Sequence, residues 1–253
     1  MRRLRGTLPA AALLLLAGCG GTIGEQTGGV ADFERGKGLY DQERWTDAIL
    51  DLKAFIEAYP GTERTDDALF YLGNSYFRIK DYALASGQFD RLLRDFPGTL
   101  FESDARFLLA RCDDLQSHSA LLDQTETERS IGRYQAFLEA YPDHPRAAEA
   151  RDRVKALRDR LAEKRFKNGR LYVRLHEYRA AEIYLRSVLE RYPESPWAAE
   201  SSLLLVDVLT KQGKREDALS VLKAAPQVEG VAGETRRKLE ERRRELEGGS
   251  ASR

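Results

Sequence analysis

Four short segments of this chain share one ending: AYPGT at residues 58–62, DFPGT at 95–99, AYPDH at 140–144 and RYPES at 191–195. A proline lacks the N–H that a helix interior needs and pushes the residue before it out of the α region, so each segment stops the helix leading into it. The aromatic residue in front of the proline can cover the last turn. Between these stops the alphabet after residue 31 is Ala, Leu, Glu, Arg and Lys, with proline confined to segment ends and no period-two alternation. Such a chain is committed to a row of helices of similar length.

Counting back from the prolines exposes a 34-residue frame. In residues 66–99, Leu69, Leu72, Gly73, Tyr76, Ala85, Phe89 and Pro97 occupy positions 4, 7, 8, 11, 20, 24 and 32. That pattern resembles the tetratricopeptide repeat, with large residues at 4, 7, 11 and 24, small ones at 8 and 20, and proline at 32. The small positions allow two antiparallel helices to approach, while the bulky ones fill the seam with the next pair. Gly36, Leu39, Ala48, Leu52 and Pro60 fit the same frame, as do Gly169, Tyr172, Ala181, Leu185 and Pro193. Two units fit loosely. Around Pro142 the small positions fall on His118 and Ser130, with Tyr134 and Phe137 in support; the last unit has Val206, Leu209, Ala218 and Leu222. The expected fold is all-α, a right-handed α-solenoid of about five such helix pairs.

The steps from Ala48 through Ala85, Ser130 and Ala181 to Ala218 are 37, 45, 51 and 37 residues, so the insertions lie in the middle. Residues 116–128 break the apolar period and read as a loop. From about Pro145 to Leu175 there is no interior proline, and Ala148, Val154, Leu157, Leu161 and Phe166 form one stripe, so a continuous helix of about 45 Å is expected. Ser195-Pro196 reads as an N-cap followed by a first helical turn. The expected organisation is N-terminal repeats over 32–144, the long helix and C-terminal repeats over 145–225, and a charged tail over 226–253. Within that tail a helix at 234–247 either caps the array or frays, since Leu239 and Leu246 are its only apolar residues.

The beginning of the chain is of another kind. Arg2, Arg3 and Arg5 precede an apolar run from Pro9 to Ala17, too short to span a bilayer, which ends in Leu16-Ala17-Gly18-Cys19. This resembles a bacterial lipoprotein signal peptide over 1–18. The resemblance implies cleavage before Cys19 and acylation of its thiol and new amino terminus. Gly20, where lipoproteins retained in the inner membrane resemble one another in carrying Asp, implies the outer membrane. The Gly-rich segment to residue 31 reads as a flexible tether over 19–31, about 20 Å as a coil and about 40 Å at full stretch.

Removing residues 1–18 takes three of the 41 basic side chains and none of the 41 acidic ones, so the mature chain is nearly neutral. That excludes the basic excess of a nucleic-acid binder. Cys112 lies at helical spacing with Leu108, Leu109 and Leu115 and reads as a small core residue; with Cys19 acylated it has no intrachain disulfide partner. His118, His144 and His176 are in no metal-binding spacing, no phosphate-binding loop is present, and Asp113-Asp114 are neighbours on a helix that point apart. No enzyme, metal site or cofactor is expected beyond lipid on Cys19.

Binding remains. Positions 5, 9 and 12 of the first helices share a face apart from the core positions. They are Phe33, Lys37 and Tyr40 in the first unit and Phe70, Asn74 and Phe77 in the second, with Arg78 alongside. Aromatics with a cation and an amide suit an extended peptide; the same rings also suit packing between helices.

Lipobox, short tether, aromatic-Pro helix ends, the LDQT segment at 122–125 and the long middle helix together resemble the BamD family, lipoprotein subunits of the β-barrel assembly machinery, to about residue 225. The resemblance implies a lipid-anchored position on the periplasmic face of the outer membrane. It also implies C-terminal repeats docked on the POTRA domains of a BamA-like barrel protein, other assembly-machinery lipoproteins as neighbours, and N-terminal repeats that engage unfolded outer-membrane proteins. A pilotin-like lipoprotein for a secretin, or a targeting or regulatory module of another envelope complex, shares the same repeats.

Overall fold

The computed structural model describes residues 23–117, 123–225 and 233–248, with side chains from residue 29 onward. Five antiparallel helix pairs follow one another: α1 (Ile23–Asp41) with α2 (Trp45–Ala58), α3 (Thr65–Arg78) with α4 (Tyr82–Asp95), α5 (Glu102–Gln116) with α6 (Thr125–Ala140), the end of α7 (Ala147–Arg174) with α8 (Tyr178–Arg191), and α9 (Pro196–Lys211) with α10 (Arg215–Ala224). A last helix, α11 (Gly233–Gly248), lies against α9 and α10. Each helix packs on its predecessor and its successor, the nearest-neighbour order of a solenoid. No strand occurs among the described residues.

The aromatic-Pro segments end helices as expected. Tyr59, Phe96, Tyr141 and Tyr192 are the C-cap residues of α2, α4, α6 and α8, and each donates its N–H to the carbonyl four residues back. The opposite turns, inside the pairs, share another device. Glu43, Lys80, His176 and Gly213 all have positive φ, between 60° and 75°, and each is followed by an N–H bonded to a carbonyl near the end of the preceding helix. Three of these four left-handed positions hold residues with a Cβ, which is why no run of glycines marks the turns.

The small positions work in the way the spacing requires, against a large partner. A Cβ on Gly36 would come within 3.0 Å of Leu52, one on Gly73 within 2.7 Å of the Phe89 ring, and one on Gly169 within 2.8 Å of Leu185. Gly73→Ala is therefore expected to destabilise by roughly 1–2 kcal/mol, overpacking outweighing the helix propensity gained. Gly87→Ala, on α4 with nothing within 4 Å of its Cβ, is expected to stabilise by about 0.5–1 kcal/mol. Urea titration of both variants reads the opposite signs; equal signs would show that the seam can dilate.

Three expectations are corrected, and one open alternative, whether the tail helix caps or frays, falls to capping. α1 begins at Ile23, inside the stretch read as a tether to residue 31: Phe33 is buried and Gly29 sits against the Tyr59 ring, so packing on α2 carries the helix through its glycines. In the third pair the small residue facing Ser130 is Ala110, not His118, and the Ser130 hydroxyl donates to the Ala110 carbonyl at 2.9 Å. The inserted residues lie between α5 and α6, which shifts the count; His118 itself is outside the described residues. The loop read over 116–128 is shorter, since α5 runs to Gln116 and α6 starts at Thr125. The tail helix caps: the Thr235 hydroxyl donates to Glu200 at 2.6 Å, Arg242 pairs with Asp207 at 3.0 Å, and Leu239 and Leu246 pack against the core.

The long helix is continuous over 28 residues, about 42 Å. Its first half packs on α6, and its second half pairs with α8 and lies beside α9. Cys112 is fully buried, and burial pushes its thiol up to about 12, so it is an inert core residue.

Candidate binding groove

α1 and α3 bring most of the expected groove residues into one aromatic band. Tyr40 lies 4.9 Å from Tyr71 of α3 and 5.0 Å from Trp45 at the start of α2, centroid to centroid. Lys37 stands over the Tyr71 ring at 5.4 Å, and Arg78 stands over Trp45 at the same distance. Phe70 stacks on Phe101, at the head of α5, at 4.2 Å with the ring planes 14° apart. All of these rings are half-buried: they pack on one another along one side and remain open on the other.

Lys37 is also bonded to Asp41 at 2.6 Å, and that hydrogen bond raises its pKa. Burial raises the pKa of Tyr71. At neutral pH the pair is therefore a cation above a neutral phenol, the attractive arrangement.

Three of the expected residues are placed differently. Phe33 is 1% exposed, against Phe55 at 5.7 Å with the Arg64 guanidinium over it, so it belongs to the core and has no face for a ligand. The Asn74 amide donates to the Phe70 carbonyl of its own helix at 3.0 Å, so one of its donors is already used. Phe77 packs edge-on against Tyr82 of α4, away from the Tyr40–Tyr71 contact. Spacing missed Tyr71, Trp45 and Phe101. Tyr71 is one position beyond the repeat position counted as groove, yet it is the ring of α3 that meets Tyr40 and Lys37 of α1.

A second feature had no reading as a site in the sequence. The Asp113 carboxylate is fully buried and accepts from Arg129 at 2.7 Å and from Arg133 at 2.9 Å, both on α6; Arg133 reaches on to Asp90 of α4 at 3.3 Å. Asp114, next to it on α5, pairs instead with Arg111 at 2.5 Å and Arg153 of α7 at 3.9 Å. The two neighbours do point apart, each into its own arginine pair, and together they tie α4, α5, α6 and α7. Among the described residues no group of three or more His, Cys, Asp or Glu could hold a metal, and no helix is long and apolar enough to cross a membrane.

Helix pairs closed by small residues, stacked in chain order and carrying an aromatic band across their first helices, define a protein of the tetratricopeptide-repeat class. Within that class the chain belongs to the YfiO family of outer membrane lipoproteins, whose family model matches residues 30–223. It is similar to the outer membrane protein assembly factor BamD of Caulobacter vibrioides, 25% identical over 186 residues, 74% of this chain and 61% of that protein. It is also similar to BamD of Haemophilus influenzae, 20% identical over 225 residues, 84% and 86% of the two chains. With BamD of Xylella fastidiosa it shares 22% identity over 194 residues, 72% and 66%. Less than two thirds of the Caulobacter and Xylella proteins is therefore spanned. Among solved structures, the TPR2AB domain of yeast Sti1 in its pHSP90 complex aligns with a TM-score of 0.47 at 14% identity, over 89% of this chain and 85% of that one.

Proposed function

We propose that this chain is a lipid-anchored, periplasm-facing scaffold of outer-membrane β-barrel assembly. In this reading Cys19, which lies outside the described residues, carries the lipid. The C-terminal repeats dock on a POTRA-bearing barrel protein, with other assembly lipoproteins as neighbours, and the aromatic band of α1 and α3 holds unfolded outer-membrane protein segments. The observation that carries it is the span of the family match, residues 30–223, which takes in the helix pairs from α1 to α10. The scaffold acts by positioning other polypeptides and needs no cofactor.

The band suits its role chemically. An unfolded barrel strand alternates apolar and polar side chains, and half-buried rings flanked by Lys37 and Arg78 can take the apolar ones while the cations meet carboxylates or backbone carbonyls. Replacing Tyr40 and Tyr71 together by alanine is expected to leave the helical circular dichroism intact and to weaken binding of an unfolded barrel peptide about tenfold or more, as loss of two anchoring rings should. Unchanged affinity in the folded variant would remove the groove from the reading. Mild detergent extraction with a C-terminal tag tests the partner assignment: recovery of a POTRA-containing barrel protein supports it, and consistent recovery of a secretin in its place overturns it.

A further inference from the structure

α6 and α7 run back along one another from the turn at residues 141–146, but they differ in length. α6 has 16 residues and α7 has 28, so α6 ends about 18 Å before α7 does. The other junctions between pairs are matched: α2 and α3 have 14 residues each, α4 has 14 beside 15 in α5, and α8 has 14 beside 16 in α9. At each of those the second helix of one pair packs on the first helix of the next. Among the described residues the third pair is tied to the second half of α7 at Arg160, bonded to Ser117 at the end of α5, and at Lys164, whose charge acts on Asp123 ahead of α6. Beyond Lys164 about three turns of α7 run on without a second helix from the preceding pair.

Equivalent repeat positions show the consequence. Two residues after the small position of the first helix stand Ser75 in α3, Cys112 in α5 and Val208 in α9, all fully buried; one residue before it stand Leu72, Leu109 and Leu205, also buried. In α7 the same two positions are Leu171, 42% exposed, and Asn168, polar and only half-buried; Leu175, one turn past Leu171, is 57% exposed. α1, which no pair precedes, is open in the same way: a Cβ on Gly38 would meet nothing within 4 Å. Tyr172 is stacked on Tyr184 of α8 at 5.3 Å with the planes 13° apart, so α8 holds one side of the strip and leaves Leu171 and Leu175 to the other. The end of α7 therefore keeps the surface of a first helix inside a stack while lacking the helix that covers it.

Charge selects the occupant. From Lys164 to Arg174 α7 has five basic side chains and no acidic one, and Glu177 in the next turn is the first acid after Glu163. Arg170 stands over the Phe166 ring at 5.8 Å, Arg174 has no carboxylate partner among the described residues, and both are exposed. Arg170 and Arg174 are one turn apart, as are Leu171 and Leu175, so a row of cations runs beside a row of leucines. We propose that this end of α7 is a seat for an amphipathic helix of another protein, with apolar side chains against Leu171 and Leu175 and carboxylates against Arg170 and Arg174. Its place in the stack is the one that α2, α4 and α8 fill at the other junctions. The occupant is a helix, unlike the extended client of the aromatic band, and the inference depends on neither that band nor the lipid anchor.

The chain itself supplies a probe. α2, WTDAILDLKAFIEA, fills the equivalent seat on α3 and carries Asp47, Asp51 and Glu57 against the single cation Lys53. A fluorescent peptide of residues 45–58, held helical by a side-chain bridge because 14 residues alone are marginal, is titrated with the full mature chain and followed by anisotropy. The expected result is saturable binding, weakened at least about tenfold in the peptide carrying Asp47→Lys, Asp51→Lys and Glu57→Lys. Leu171→Asp and Arg174→Glu in the protein are each expected to weaken it at least about tenfold as well, with helical circular dichroism and urea midpoint unchanged, since both positions are exposed. No binding overturns the proposal, and so does binding that survives Leu171→Asp, which would place the peptide elsewhere. Equal binding of the two peptides overturns the acidic occupant. Binding that appears only after deletion of residues 119–121 would assign the seat to the chain's own segment, and Arg174-dependent binding to phosphatidylglycerol vesicles without peptide binding would assign it to lipid; either overturns the proposal.

Discussion

Replacing Asp113 with alanine is expected to cost about 3–5 kcal/mol, the range for removing one partner of a buried ion pair. The carboxylate is fully buried, and without it the Arg129 and Arg133 guanidinium groups lose the charge they share. Arg129 is nearly half exposed and can turn to water; Arg133 is three-quarters buried and keeps only the longer contact to Asp90. That difference places the expected loss near the lower end, roughly 3 kcal/mol, or about 6–12 °C in melting temperature for a chain of this size. Asp51→Ala, which breaks the more exposed pair with Arg35, is the matched comparison and should cost less than about 1 kcal/mol. Thermal and urea unfolding measure both. Equal small losses would show that the two α6 arginines are solvated without Asp113, and that apolar packing alone holds α4 to α7 in register.

Replacing Cys19 with alanine should move the protein from the membrane pellet to the soluble fraction. One acyl chain gives only marginal, reversible membrane binding, whereas each buried methylene adds about 0.8 kcal/mol, so a second and third chain would turn it into stable anchoring. Among the described residues no helix is long and apolar enough to cross the bilayer, so the variant tests the proposed acyl anchor directly. Fractionation before and after an alkaline wash, with the mass of the mature amino terminus, gives the measurement. An alanine variant still in the washed pellet would place the membrane attachment elsewhere.

The helix ends were legible because they are local. A proline acts on the residue beside it, so Tyr59, Phe96, Tyr141 and Tyr192 could be read as closing their helices without knowing any neighbour. Gly36, Gly73 and Gly169 were legible for a related reason: a helix that gives up propensity at one fixed position does so to admit another chain, and the structure shows Leu52, Phe89 and Leu185 there. The candidate groove was half legible. Lys37, Tyr40 and Phe70 do join a band of rings, but helical spacing assigns a residue to a face and leaves open what covers that face. Phe33 lies on the same face as Tyr40 and is shut in by Phe55 and Arg64, while Tyr40 is left partly open beside Tyr71 and Trp45.

The Asp113 cluster shows the limit most clearly. In the sequence it is one of many charged neighbours, and its partners Arg129 and Arg133 stand 16 and 20 positions away, with Arg133 reaching on to Asp90, 43 positions from itself. Local rules set by backbone sterics and by helical periodicity were enough to specify the paired helices, their approximate ends, the middle rod and the family. Which charges are buried, which rings stay open, and that the first helix begins at Ile23 depend on surfaces that exist only after the pairs have stacked. Those are properties of packing between segments distant along the chain, and there the three-dimensional fold had the deciding part.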